Sequence, residues 1–322
     1  MKRSSEKFLE RLRKKVAPLC GNKLQVPPYI DNREEATGIM RHYLEGEEPA
    51  MIARYGHVEL TAIVNYLGTR NENNHSYWKY IKGDIDKWWW DSHMFEQMQN
   101  NAGFFPVSEN AISKYAQLTI EDSALVDVLG CWLPEETRVE AYLPKDYKRI
   151  RLRYLEPDYW TENASGEWTQ CLKDKKVLLV HPFTKTIKLQ YQKRKKLFKD
   201  SSLIPDFELL TVQAVQSIGG ENKDFDSWFD ALRYMEDEID KQTYDIAIIG
   251  CGAYGFNLAA HVKRTGHKAI HLGGATQLLF GIIGNRWESR DDFRQLINDF
   301  WVRPSMEERP ATASQVEGAC YW

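Results

Sequence analysis

Residues 244–274 read YDIAIIGCGAYGFNLAAHVKRTGHKAIHLGG. The run from Asp245 to Ile249 is short, apolar and β-branched, the pattern of a strand buried on both faces. Gly250, Gly252 and Gly255 follow it with the spacing G-x-G-x-x-G. The next residues, FNLAAHVKRTG, repeat apolar groups at the helical period, and KAIHL then reads as a second strand. Two parallel strands joined by a helix place the chain in the α/β class. Glycines suit the turn because the backbone there bends sharply and lies close to a phosphate, which the N–H groups and dipole of a helix N-terminus attract.

The same alternation extends outward. Apolar runs predict strands at 50–54, 124–130, 176–181, 207–212, 245–249 and 268–272. Helical periodicity predicts helices at 5–17, 33–45, 57–67, 86–100, 109–117, 185–199, 225–241, 254–265 and 288–301. The expected architecture is a Rossmann-like, doubly wound, mostly parallel sheet with helical elaboration at the N-terminus, read as one α/β domain over 1–322. A subdivision would fall in the polar stretch 162–175, which has no clear period and reads as a linker. The aromatic end, Tyr321 and Trp322, is expected to pack back onto the fold.

Composition narrows the function classes. At 322 residues, 43% hydrophobic and 28% charged, the chain can bury a sizeable core. A net charge of −3 gives no overall positive field, so nucleic acid is not an expected partner. The five cysteines lack C-x-x-C spacing, which argues against structural zinc and against a disulfide framework and fits a reducing, cytoplasmic setting. MKRSSEKFLERLRKKVAPL, at the N-terminus, has no uninterrupted apolar run and reads as neither a signal peptide nor a transmembrane segment. Phe8, Leu9, Leu12 and Val16 share one helical face opposite Lys and Arg. Such a helix docks on its own core or makes peripheral contact with an anionic membrane. Tryptophans 88–90 suit stacking on sugars or bases, or simple core filling.

Four segments carry candidate chemistry. RYGHVEL, 54–60, follows a strand and opens a helix: Arg54 suits a phosphate, Gly56 the turn, and His57 and Glu59 a base or metal ligands. LLVHPFTKTIKLQYQKR, 178–194, puts His181 at a strand end and Thr184 before a basic helix, another anion site by geometry. HLGGATQLLFGIIGNRW, 271–287, supplies Gly273, Gly274, Gln277 and Arg286 beside Trp287, groups that match a sugar ring. The glycine turn at Gly250, Gly252 and Gly255 is the fourth, and Cys251 within it reads as inert packing. A nicotinamide-dependent oxidoreductase would end the second strand of such a unit in Asp or Glu to hold the ribose. Here His271 stands in that place.

RYGHVEL resembles the RFGDGE segment of GT-D-type bacterial glycosyltransferases, and IIGCGAYGFNLAAHVKRTGHKAIHLGG is similar to the glycine turn, helix and strand of those proteins. With HPF at 181–183 and the closing EGACYW, the chain also looks like proteins of bacterial surface-polysaccharide gene clusters. The resemblance implies sugar transfer from a nucleotide-sugar such as a UDP-sugar to a glycan or lipid-linked acceptor, with Mn or Mg at an Asp-x-Glu motif. In this chain His57 stands for the Asp and Val58 for a Gly, while Glu59 is retained. It implies a donor and metal site at Arg54, His57 and Glu59. Glu59 is the first candidate base and His181 the second. A nucleotide-sugar-binding protein without catalysis, an NAD-dependent oxidoreductase and an acyl or pyruvyl transferase are the competing readings.

Overall fold

In the computed structural model, residues 3–71, 75–217, 219, 222, 224–310, 313 and 319–322 are described. Its strands are β1 (Ala50–Ala53), β2 (Val128–Cys131), β3 (Lys148–Arg151), β4 (Lys176–His181), β5 (Glu208–Gln213), β6 (Ile246–Ile249) and β7 (Lys268–His271). They form one seven-stranded sheet in the order β3-β2-β1-β7-β6-β4-β5, and every pairing is parallel. The helices are α1 (Arg3–Val16), α2 (Arg33–Glu45), α3 (His57–Thr69), α4 (Tyr77–Lys82), α5 (Ser92–Asn100), α6 (Glu109–Ser123), α7 (Thr184–Tyr191), α8 (Trp228–Asp240), α9 (Gly255–Arg264) and the single-turn α10 (Asn285–Glu288) and α11 (Asp291–Arg294). This is the Rossmann-like α/β architecture that the alternating pattern predicts.

Alternate strand residues enter opposite core layers. Leu178, Val180, Ala247 and Ile249 pack with α3, α5, α6, α8 and α9, whereas Val177, Leu179, Ile246 and Ile248 pack with α2, α7 and the segment after β7. Burial on both faces is why these strands are continuously apolar rather than alternating. Side chains cap several helix starts, of which those at 33 and 109 fall where the periodicity places them and that of α8 falls three residues later. Asn32 accepts from Glu35 N, Ser108 from Ala111 N and Ser227 from Asp230 N.

The departures have physical causes. No helix spans 288–301: α11 stops at Arg294, and beyond it the Asn298 side chain takes the Phe300 N–H that a helix would need. The helix expected at 86–100 starts only at Ser92, where Asp91 accepts from His93 N and caps it. Helix α6 runs on to Ser123 and displaces β2 to Val128–Cys131. The helix expected at 185–199 ends at Tyr191 and resumes as a 3-10 turn at Arg194–Lys196. Strand β3, KRIR, was not read at all, because only Ile150 is buried and an edge strand needs no apolar run. The stretch 162–175 is no linker. Ala164, Trp168, Thr169, Cys171 and Leu172 are buried there, and Trp168 Nε1 donates to Leu155 O at 3.0 Å.

At the N-terminus, Leu9, Leu12 and Val16 of α1 pack against Tyr80, Ile81, Ile85, Trp88 and Trp89. Trp322 is buried, edge-on to Phe183 at 5.8 Å, as an apolar end should be. Glu317 and Gly318 of the closing EGACYW lie outside the described residues. Among the described residues no helix is long and apolar enough to cross a membrane.

Candidate functional site

Helix α7 leaves β4 onto one face of the sheet, and α9 leaves β6 onto the other. The connections after β1 and β7 diverge in the same way, α3 to the first layer and residues 273–280 to the second. Diverging connections open a crevice beyond the carboxyl ends of the strands between them, where ligands of such sheets bind. Here the ends of β4, β6, β7 and β1 enclose a cavity of about 520 Å³. A pocket of a few hundred Å³ is of the size that holds a small-molecule ligand. Arg54, Gly56, His57, Glu59, His181, Gly250, Gly252, Gly273, Gly274, Gln277 and Arg286 all border it.

At the β1–α3 corner the Arg54 guanidinium lies 5.0 Å from the centre of the Trp132 ring. It makes no hydrogen bond or ion pair with any described residue. Burial pulls its pKa below the ordinary arginine value, and the Glu59 charge opposes that shift. Gly56 is the N-cap of α3, and a Cβ there would collide with the Glu59 carboxylate, which folds back over the helix start. The Glu59 carboxylate also has no hydrogen-bond or ion-pair partner among the described residues. His57 is exposed on the same first turn.

His57 and Glu59, the expected cation ligands, both border the cavity. They stand at i and i+2, positions that point away from each other on a helix. Among the described residues no group of three or more His, Cys, Asp or Glu is placed to hold a metal ion. The donor set does not fit a divalent cation held by protein groups.

The other strand ends resolve into a different mixture of roles. His181 is buried, and burial brings its pKa down to about 3. Its Nδ1 accepts the Phe183 N–H at 3.0 Å, which leaves the proton on Nε2. A neutral imidazole with that tautomer donates, so His181 is not suited to the base role expected of it. His271 is also buried, with a pKa brought down to about 3 by burial and the Arg54 charge. Its ring fills the space that a Cβ at Gly255 would need, and its Nδ1 has no hydrogen-bond partner among the described residues. Gly255 is therefore a packing glycine behind the pocket rather than a ligand contact. Gly250 closes against Thr276 and the Gly273 carbonyl, and Gly274 against the Tyr321 ring. Gly252 and Gly273 adopt left-handed backbone at φ 58° and 63°, which favours glycine. Gln277 spends its amide on Ile282 O at 3.1 Å and Tyr321 O at 3.3 Å, so it braces the wall instead of offering donors. Arg286 donates to Tyr321 Oη at 3.1 Å. Cys251 is buried and its thiol pKa is pushed up by that burial, in keeping with inert packing.

The anion site expected before α7 exists, and the protein occupies it. Glu308 accepts from Lys185 N at 2.7 Å, from Thr186 N at 3.3 Å and from the Thr186 hydroxyl. A buried carboxylate on the first-turn N–H groups is what the dipole and the unpaired donors of a helix start require.

Trp132, Gln97, Asn101, Ser217, Tyr254 and Tyr321 also line the cavity and were not singled out in the sequence. Trp132 directly follows β2, so the strand-end rule would have found it had that strand been placed correctly. Gln97 and Asn101, around the end of α5, carry no comparable signal. Neither a family model, nor a curated protein, nor a solved structure matches the chain.

Proposed function

We propose that the chain is a glycosyltransferase that uses a nucleotide-sugar donor, a UDP-sugar in the first instance, in bacterial surface-polysaccharide or glycan synthesis. The observation that carries the reading is Arg54: a guanidinium with its donors unspent, beside the Glu59 carboxylate, in a pocket at the switch point of a parallel sheet. An arginine so placed binds a diphosphate bidentately. The likeness of RYGHVEL to the GT-D segment points to the same ligand.

In this mechanism Arg54 holds the diphosphate and bears its growing charge as the bond from the sugar C1 to the phosphate oxygen breaks. The acceptor, a glycan or lipid-linked hydroxyl, forms the new bond to C1, and its proton passes to Glu59. His181 Nε2–H donates to a ligand oxygen. Trp132 steadies Arg54 and offers a stacking face. No step is routed through Mn or Mg, because the residues present do not form a protein-held site for either. That same gap favours one alternative, a nucleotide-sugar-binding protein without transfer activity.

A thermal-shift panel of UDP, GDP, CMP and NAD(H), with and without Mn²⁺, tests the reading. Stabilisation by UDP or GDP is expected. Stabilisation by NAD(H) alone, or by none of the set, would sink it. Glu59→Gln is expected to abolish transfer and keep nucleotide binding, while binding with no transfer by the unaltered protein selects the non-catalytic alternative.

A further inference from the structure

The region of α1, the 3-10 turn Ala17–Cys20 and α4 stands apart in its surface chemistry. Phe8 is 61% exposed, Leu19 86% and Trp78 62%, although helices α1 and α4 have a shared apolar core available beside them. The turn folds against the end of α4, where Asn22 Nδ2 donates to Lys82 O at 3.1 Å, so the three side chains project from one small lobe. An interior face exists and these residues are not in it.

Charge around them is one-sided. Residues 1–23 hold eight Lys and Arg against two Glu, within a chain whose net charge is −3. Glu6 turns inward, buried and accepting from Ser92 Oγ at 2.9 Å, and Glu10, partly exposed, is neutralised by its pair with Lys87. Arg13 also turns inward, to the carbonyls of Tyr80 and Ile85. Lys7, Arg11, Lys14, Lys15 and Lys23 remain exposed. The outward charge is thus basic without a compensating acid on α1, and it flanks exposed phenylalanine, leucine and tryptophan.

We propose that this lobe is a peripheral membrane-docking surface for anionic lipid, with Phe8, Leu19 and Trp78 entering the headgroup boundary and the lysines and Arg11 above it. Apolar and indole groups partition at that depth, and basic side chains gain from an anionic leaflet. The proposal does not rest on the sugar-transfer reading. It differs from an amphipathic α1 lying flat on the bilayer, because Leu9, Leu12 and Val16 are already spent on the protein's own core.

Sedimentation with phosphatidylcholine vesicles, with and without phosphatidylglycerol, tests it. The full chain is expected to co-sediment with the anionic vesicles, to be released by salt, and to ignore the neutral ones. Arg11→Glu with Lys15→Glu should lower the partition coefficient by more than about twentyfold, on the order of a fivefold effect for each basic residue removed near such a surface. Phe8→Ser with Trp78→Ser should also release it at unchanged charge, with the circular-dichroism spectrum and melting temperature retained. Equal binding to neutral vesicles, no binding to anionic ones, or binding untouched by both double variants would overturn the proposal. So would a preference for RNA over anionic vesicles, which would reassign the basic lobe to a nucleic acid.

Discussion

Two corners of one rim begin alike and end differently. At β4–α7 and at β1–α3 a buried strand runs into a helix whose first-turn N–H groups need a partner. At the first corner the fold supplies the partners of the helix start: His181 Nδ1 takes the Phe183 N–H, and Glu308 takes those of Lys185 and Thr186, which leaves the His181 Nε2–H at the cavity it lines. At the second, Arg54 and Glu59 face the cavity with their hydrogen-bonding capacity unspent. The helix start of the first corner is closed by the scaffold, whereas the polar groups of the second, partly exposed at the cavity, are open to water or to a ligand.

Acid should break the complete corner first, with the largest effect. His181 has a folded pKa of about 3, below its ordinary 6.5, so the unfolded chain takes up the proton first as pH falls. Its contribution to stability is whole above about 6.5 and is lost progressively toward about 3, at about 1.4 kcal/mol per pH unit. Urea unfolding of wild type and His181→Gln across that window should diverge by about one proton's slope. Parallel curves would show that His181 is not held neutral. His271 titrates in the same window for the same reason and leaves a second slope in the variant.

The incomplete corner should fail in function and not in stability. Arg54→Ala is expected to weaken UDP binding by about 30- to 150-fold, the loss of a charged hydrogen-bonding group worth about 2–3 kcal/mol, with the melting temperature little changed. Calorimetric titration measures the first and scanning calorimetry the second. Large destabilisation with intact binding would invert the comparison. Glu308→Gln should do the reverse, costing about 1–2 kcal/mol in chemical denaturation while nucleotide affinity holds. The smallest effect is expected from Trp132→Leu, which takes away the ring beneath Arg54 and should reduce affinity about two- to fivefold.

The contrast between the corners was invisible in the sequence, although both corners were not. Apolar runs ending in Arg54, His181, Gly250 and His271 announced the rim, since a strand buried on both faces has only its end from which to offer polar groups. Which of those groups are spent depends on residues far along the chain: Glu308 lies 122 positions beyond Thr186. Gln277 looked like a donor and serves Ile282 and Tyr321. His57 and Glu59 looked like a ligand pair because spacing in the sequence does not display the turn of the helix. Strand β3 and helix α4 escaped because edge and lobe elements have less apolar surface to bury than a central strand.

The order of the sheet also has a consequence in time. Ile52 of β1 meets Val128 on one side, but on the other Met51 meets Ala269, 218 residues later. A ribosome adding roughly 5–20 residues per second needs on the order of 10–40 s to cover that distance. Throughout it this inner apolar strand, neighbour of the central β7, has at least one edge uncovered, the state in which nascent chains pair wrongly or recruit chaperones. The strand that leads into Arg54 is thus among the first made and the last enclosed, and the pocket comes into being only after β7 has been synthesised.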